Sequence, residues 1–381
     1  MLISGEFMNS ANFNVGGRAD TLNGLLNING IQPFLDNPSF TEVAINRPFE
    51  LWTESSKGWQ KHEMPNLNFS TLKQIANTFA NFNKLEINMS NPICSGVMPN
   101  GQRGQVVIPS ACERDTVSIV VRRPSDTRFS LSSYIDSGRL DTWVDASTFQ
   151  TKNLILPSHL ESKRQKEEAE ISYLNDYLGI PKDVHLQLFE LKMLKAKADR
   201  DIDTFVRLAV EHKQNICLIG ATGSGKTTFT KAVCDLVPVE TRIITIEDTA
   251  ELDLPNHANR VHLFYKDVSP KDLLKSCMRM KPDRIFLTEL RGEEAFDYLM
   301  ALNTGHGGSI TTVHANDCNS AYYRVGSLIK QSDIGQKLDF EYIMSEVYTT
   351  LDVMMFLSHT YVREIAYDPI RKYRLLKGKK A

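Results

Sequence analysis

Apolar and polar residues alternate along FTEVAINRPFELWTES (40–55) around Asn46-Arg47-Pro48, a period of two that predicts a β-hairpin. The period changes in NFSTLKQIANTFANFNK (68–84). There Leu72, Ile75, Ala76 and Phe79 fall at helical spacing behind an N-cap candidate, which predicts a helix. GQRGQVVIPS (101–110) and TVSIVVRRPS (116–125) each read as a strand ending near a proline, whose missing N–H interrupts a ladder. These elements predict a small α+β domain over residues 21–135. Residues 1–20 are rich in Asn, Gly and Ser and carry no period, so they are expected to be a flexible lead-in; MLISGEF ahead of Met8 is set aside from the fold.

From 136 to 195 the pattern differs. ESKRQKEEAE (161–170) is a dense run of mixed charge, followed by LGIPKD and a helix-like HLQLFELKMLKAKAD, so a solvated helix and linker between domains is expected. Its length leaves room for packing on a neighbouring subunit. Beyond it, ICLIG, RIITIE, RIFLTE and SITTVH alternate with the helical stretches TKAVCDLV, DLLKSCMRM and EAFDYLMALN. That alternation predicts a mainly parallel sheet with crossover helices over residues 196–381, whose ligand lies at the carboxyl ends of the strands.

Composition narrows the function classes. A chain of 381 residues exceeds one comfortable core, and 41% hydrophobic with 24% charged residues is the balance of a soluble globular protein. Lys+Arg 44 against Asp+Glu 46 leaves a net charge of −2, so no global electrostatic grip on nucleic acid is expected. The local exception is RKYRLLKGKK (371–380), read as a solvated tail, with contact to anionic lipid or nucleic acid as the alternative. Six dispersed cysteines form no C-x-x-C pair and fit a reducing cytoplasm. No apolar run approaches the roughly 20 residues of a membrane span, so any membrane role is peripheral.

The chemistry starts at GATGSGKTT (220–228), a match to G-x-x-x-x-G-K-[ST] between an apolar strand and a helix. Gly220, Gly223 and Gly225 let the backbone wrap so that N–H groups of Ala221, Thr222, Ser224 and their neighbours through Thr228 face phosphate oxygens. Lys226 supplies a point charge to the β/γ-phosphates and Thr227 a hydroxyl to Mg²⁺, which implies ATP with Mg²⁺ as the bound species. RIITIEDTAEL sets Glu247 and Asp248 just past a strand, where a carboxylate can hold the metal or its waters; a helix-capping role for the Asp is the alternative. MKPDRIFLTELRGEEA places Glu289 at another strand end, suited to activating the attacking water, with Thr288 where many such enzymes have Asp. Arg279 and Arg291 are candidates for phosphate contact or for plain ion pairs. TGHGGSITTVHAND (304–317) offers His306 and His314; without convergent ligands for zinc or a nucleophile elbow, the reading is a polar side chain that reports the γ-phosphate, with the choice between the two histidines open.

In this order and spacing, GATGSGKTT, TIEDTAEL, PDRIFLTELRGEEA and TGHGGSITTVHAND resemble the secretion-ATPase superfamily, and within it the VirB-type traffic ATPases of bacterial type IV secretion systems. FTEVAINRP, NGQRGQVVIP and SIVVRRPS resemble that family's N-terminal motifs. The resemblance implies a RecA-like P-loop NTPase C-terminal domain behind the smaller α+β domain. It further implies a homohexamer of two-tiered rings, nucleotide between the domains of a subunit, and Arg103 and Arg122 reaching that nucleotide, with a structural role in β-sheet ion pairs as the alternative for the two arginines. The partners it implies are the coupling protein, inner-membrane channel components and other ATPase subunits, with the chain cytoplasmic and peripheral to the inner membrane. The long 136–195 stretch resembles the long-linker branch, and a cysteine-rich metal insertion of type II secretion and pilus assembly ATPases is absent. The expectation is an ATP-hydrolysing motor of a secretion or conjugation machine. A DNA-stimulated helicase-like motor, a pilus retraction motor and a nucleotide-gated scaffold are its rivals.

Overall fold

The computed structural model describes residues 10–123, 130–141, 143 and 158–379, so the middle of the expected linker lies outside the described residues. The chain divides into two compact units, one of residues 1–124 with 213–366 and one of 125–212 with 367–381.

The first unit opens with α1 (Ser10–Ile28) and α2 (Gln32–Asp36), then β1 (Glu42–Ile45), β2 (Glu50–Ser55), β3 (Gly58–Glu63), α3 (Phe69–Phe82), β4 (Ile93–Val97), β5 (Arg103–Val107) and β6 (Ser118–Arg122). The expected hairpin is β1–β2, paired antiparallel with Ala44 opposite Trp52, and α3 is capped by Asn68, whose side chain accepts from the Thr71 N–H. Residues 10–20, expected to be a flexible lead-in, are instead the first half of α1. Leu22 and Leu26 bury the second half, and Arg18 donates to the Asn81 carbonyl at 3.2 Å, so packing supplies what propensity does not.

The strands form one antiparallel sheet in the order β3-β2-β1-β6-β5-β4. Its alternation serves two cores. Val43, Ile45, Val106, Ile119 and Val121 meet Leu22, Leu26, Leu72, Ile75 and Phe79 on one side. Ala44, Val107 and Val120, the intervening positions, join the core of the nucleotide-binding half. A strand buried on both faces explains why all four residues of β1 are buried.

That half contributes β7 (Ile216–Ile219), α8 (Lys226–Cys234), β8 (Ile243–Glu247), β9 (Arg260–Phe264), α9 (Pro270–Cys277), β10 (Arg284–Leu287), α10 (Glu294–Asn303), β11 (Ile310–Val313), α11 (Cys318–Gln331), α12 (Phe340–Thr350), β12 (Val353–Ser358) and β13 (Tyr361–Tyr367). Two sheets run β10-β8-β9 and β11-β7-β12-β13, with parallel pairing between β10, β8 and β9 and between β11, β7 and β12. Leu290 N–H to Thr312 O at 2.9 Å and Thr312 N–H to Thr288 O at 3.1 Å stitch the two sheets together at a seam.

Polar groups lock the N-terminal sheet to the starts of β8 and β9 and to α9. Arg47 donates to the carbonyls of Ala258 and Arg260 at 3.2 and 2.9 Å, and Gln105 to Ser276 Oγ at 2.8 Å. Arg242, wholly buried, donates to Met280 O at 3.0 Å, to Asn46 Oδ1 at 2.9 Å and to Asn259 Oδ1, and lies 5.0 Å from the Trp59 ring centroid. Burial pushes its guanidinium down to about 10, still cationic at neutral pH. Arg242→Leu strips donors from Met280 O and Asn46 Oδ1 inside the protein, and is expected to cost about 3 kcal/mol of stability. Urea unfolding checks this: an unchanged midpoint would remove Arg242 from the stabilising core.

The second unit comprises α4 (Leu131–Asp136), α5 (Ser158–Leu178), α6 (Leu188–Ala198), α7 (Ile202–Glu211) and α13 (Pro369–Leu376). The charged run 161–170 forms a largely exposed part of α5, while Leu174, Val184, Leu186 and Leu191 bury together against Ile370 and Tyr373. Residues 196–212 and 367–379, expected within the nucleotide domain, fold here with the linker helices; Phe205 meets Tyr367 edge-on at 5.6 Å and Lys197 donates to Tyr367 O at 2.8 Å.

Candidate active site

β7 is buried along its length and delivers the chain to Gly220, where the backbone must turn at φ 148°. A Cβ there would lie 2.4 Å from Leu357 O, so only glycine fits. The loop then rises to Gly225, the residue that caps α8 at φ 92°, and the N–H groups of the first helical turn are left without intrahelical partners. Such a loop is an anion cradle before any side chain is considered. Lys226 curls back over it, donating to Gly220 O at 2.7 Å and Ala221 O at 2.9 Å, which keeps its ammonium at the mouth of the cradle.

The cradle opens into a cleft lined by Thr222, Gly223, Lys226 and Thr227 together with Asp248, Glu251, Thr288, Glu289, Arg291 and His314. Parallel strands place these groups together: β8, β10 and β11 all end at the same edge as β7, so the residues that follow each strand converge. Glu289 sits between two cations or donors, His314 Nε2 at 3.2 Å from one carboxylate oxygen and Arg291 at 2.7 Å from the other. Arg291 also reaches Asp248 at 2.7 Å. The Arg291 side chain is half exposed, so each bridge contributes about 0–1 kcal/mol to stability. Their consequence is geometric: they fix the Glu289 carboxylate in the cleft that Thr227 also lines. Tyr265 borders the same space, its phenol pushed up to about 12 by burial, and stays neutral.

Thr227 Oγ1 donates to Glu251 at 3.2 Å. Glu251 went unnoticed in the sequence, although TIEDTAEL carries it four residues after Glu247. Glu247 itself is wholly buried and does not line the cleft. Its Oε1 accepts from Thr245 Oγ1 at 2.5 Å and from His262 Nδ1 at 3.0 Å, and its Oε2 from the N–H groups of Glu251 and Leu252, both at 2.9 Å. Burial alone would raise its pKa, but the bonds from His262, Leu252, Thr245 and Glu251 outweigh burial and hold it below the ordinary value.

The other expected residues fall in several places. Ala221 and Thr228 are exposed parts of the loop and helix, and Ser224 is buried beneath them with its backbone carbonyl bound by Thr360 N–H at 3.0 Å. His306 precedes β11 and His314 follows it, so the two lie at opposite ends of the strand; His306 is half-buried beside Pro282, and burial lowers its pKa. Arg279 is exposed and borders a separate groove with Ser90, Asn91 and Lys275. Arg103 and Arg122 pair across β5 and β6, with Arg122 at 3.4 Å from Glu42, and neither lines the cleft. Among the described residues no group of three or more His, Cys, Asp or Glu could hold a metal unaided. A cation here needs oxygens from a bound ligand as well, as Mg²⁺ at phosphates does.

Comparison with known proteins places the chain among secretion-system proteins. The family profile described as "Type II/IV secretion system protein" matches residues 180–360. The type IV secretion system protein VirB11 of Brucella suis is 35% identical over 361 residues, spanning 91% of this chain and 90% of that protein. VirB11 of Bartonella henselae is 36% identical over 370 residues, with 93% and 95% covered. PtlH of Bordetella pertussis is 31% identical over 337 residues, with 86% and 88% covered. The crystal structure of the Brucella suis VirB11 ATPase in complex with sulphate superposes with a TM-score of 0.80 at 35% identity, covering 95% of this chain and 99% of that one.

Proposed function

The chain belongs to the VirB11 family of type IV secretion ATPases, and from that premise we propose how its cleft hydrolyses ATP, what ion it uses and how it assembles. The ATPase motor activity is the family's; the roles of residues are our reading. The observation that carries it is Glu289, held by His314 and Arg291 in the same cleft as Lys226 and Thr227.

The N–H groups of the 220–228 loop and the Lys226 ammonium bind the β/γ-phosphates. Thr227 and Glu251, oxygen donors one hydrogen bond apart, would hold Mg²⁺ or its waters, with Asp248 close by. Bound there, Mg²⁺ would neutralise charge that develops on the phosphate oxygens. Glu289 accepts the proton of the attacking water, and His314 and Arg291 fix the carboxylate and report loss of the γ-phosphate. The Brucella suis relative was solved in complex with sulphate, a tetrahedral oxyanion like phosphate, which is in keeping with an anion-binding protein.

The same reading makes the chain one subunit of a hexameric ring, cytoplasmic and peripheral to the inner membrane, working with a coupling protein and channel subunits. Among the described residues no helix is long and apolar enough to cross a membrane. Arg103 and Arg122 remain candidates for a nucleotide contact made from the N-terminal sheet, and Arg279 and His306 for contacts outside the cleft described above. Purified protein is expected to release phosphate from ATP with Mg²⁺, to lose at least about 90% of that activity in EDTA, and to have the mass of a hexamer by native mass spectrometry. Full activity in EDTA would remove the ion from the reading, and a stable monomer at working concentration would remove the ring. Stimulation by single-stranded DNA would move it toward a nucleic-acid-threading motor.

A further inference from the structure

One group at the centre of the fold is built for a task the cleft residues do not perform. Thr245, Glu247 and His262 meet on one face of the β8–β9 pair, because Thr245 and His262 are register partners and Glu247 stands two residues further along β8. All three are buried. The Thr245 hydroxyl gives its only proton to Glu247, so the His262 Nδ1, 2.8 Å from Thr245 Oγ1 and 3.0 Å from Glu247 Oε1, must carry a proton to be satisfied there. One carboxylate oxygen is thus anchored to two strands. The other holds the N–H groups of Glu251 and Leu252, which fixes the turn from 248 to 252 at the cleft wall.

We propose that His262, through Glu247, is a positioning residue for hydrolysis: it sets the 248–252 turn so that Glu251 meets the Thr227 hydroxyl and Asp248 meets Arg291. A buried carboxylate that spends all of its capacity on two side-chain donors and two turn amides is costly to assemble for stability alone. What it fixes is the placement of two carboxylates at the cleft, one of them beside the hydroxyl assigned to the metal. Without the His262 donor, Oε1 loses one of its two anchors, the Glu247 side chain can rotate, and Glu251 is released from Thr227. This inference rests on the cleft being the hydrolysis site, which Glu289→Gln tests separately.

The experiment compares His262→Asn, whose Nδ2 donor can approach the place of Nδ1, with His262→Leu, which has none. Turnover, the Mg²⁺ concentration for half-maximal rate, and binding of a fluorescent ATP analogue in EDTA are read for each. His262→Leu is expected to lower kcat about 10–100-fold and raise the Mg²⁺ requirement, with analogue affinity in EDTA within about threefold of the parent; His262→Asn is expected to recover most of the loss. In the Glu251→Gln background the Leu substitution is expected to cost little more, since both act through one carboxylate. The proposal is overturned if folded His262→Leu turns over within twofold of the parent, if His262→Asn is as impaired as Leu, if affinity in EDTA falls as far as kcat, or if the losses with Glu251→Gln multiply. Should the Leu chain fail to fold, Thr245→Val, which removes the other anchor on Oε1 at nearly constant volume, carries the same expectations. An inactive His262→Leu beside a fully active Glu289→Gln would mean that the cleft reading, not this network, is at fault.

Discussion

Glu289→Gln is expected to retain ATP and lose about 10²–10³-fold in kcat, because the amide keeps the size of the side chain and removes the oxygen that can take a proton. The cleft makes this a clean test. Glu289 is mostly buried, and its two oxygens are committed to His314 and Arg291. Glutamine can still accept from Arg291 through its carbonyl oxygen, so the fold of the strand end should survive. Single-turnover phosphate release against analogue affinity separates the outcomes. A variant that hydrolyses at the parental rate moves the base elsewhere, with Glu251 as the next carboxylate to replace. Loss of affinity equal to loss of rate would make Glu289 a binding group instead.

Most of the cleft was legible in the sequence because its residues follow strands, and strand ends in a parallel sheet converge by topology alone. GATGSGKTT, Asp248, Glu289 and His314 needed only the recognition of β7, β8, β10 and β11. Glu251 and His262 needed more. Glu251 lies on a turn whose shape is set by amides bonded to Glu247, and His262 on β9, which was not recognised. The same limit assigned Glu247 to the cleft: a residue at a strand end can point into the solvent edge or back into the sheet, and the one-dimensional pattern is the same for both. The N-terminal half shows the converse. Its alternation predicts the strands but not what covers each face: Ala44, Val107 and Val120 pack on the nucleotide half and Arg242 closes the join. Nothing in the sequence around Arg242 shows that Asn46, Asn259 and Trp59 will gather around it.

Lys226→Ala is expected to weaken ATP binding about 10³-fold and abolish measurable turnover. The magnitude follows from charge: an ammonium about 4 Å from a phosphate oxygen at an effective dielectric of about 20 contributes roughly 4 kcal/mol, close to three decades in affinity. The lysine is positioned for it, since Gly220 O and Ala221 O hold its Nζ at 2.7 and 2.9 Å at the rim of the cradle. Burial lowers its pKa while Glu289 and Glu251 oppose that shift, and two carboxylates so placed favour the charged form that phosphate needs. Stability should hardly change, because the loop is shaped by Gly220 and Gly225 at positive φ and by the Thr360 amide on Ser224 O, none of which involves the lysine side chain. The two effects therefore separate: titration with a fluorescent ATP analogue should lose its saturation while the unfolding free energy from urea stays within about 0.5 kcal/mol of the parent. If binding and turnover persist in the folded variant, the cradle is not a triphosphate site, and the roles of Thr227, Glu251 and Glu289 fall with it. Lys226→Arg should recover little, since a planar fork held by a longer stem cannot take the place of a point charge against the loop carbonyls.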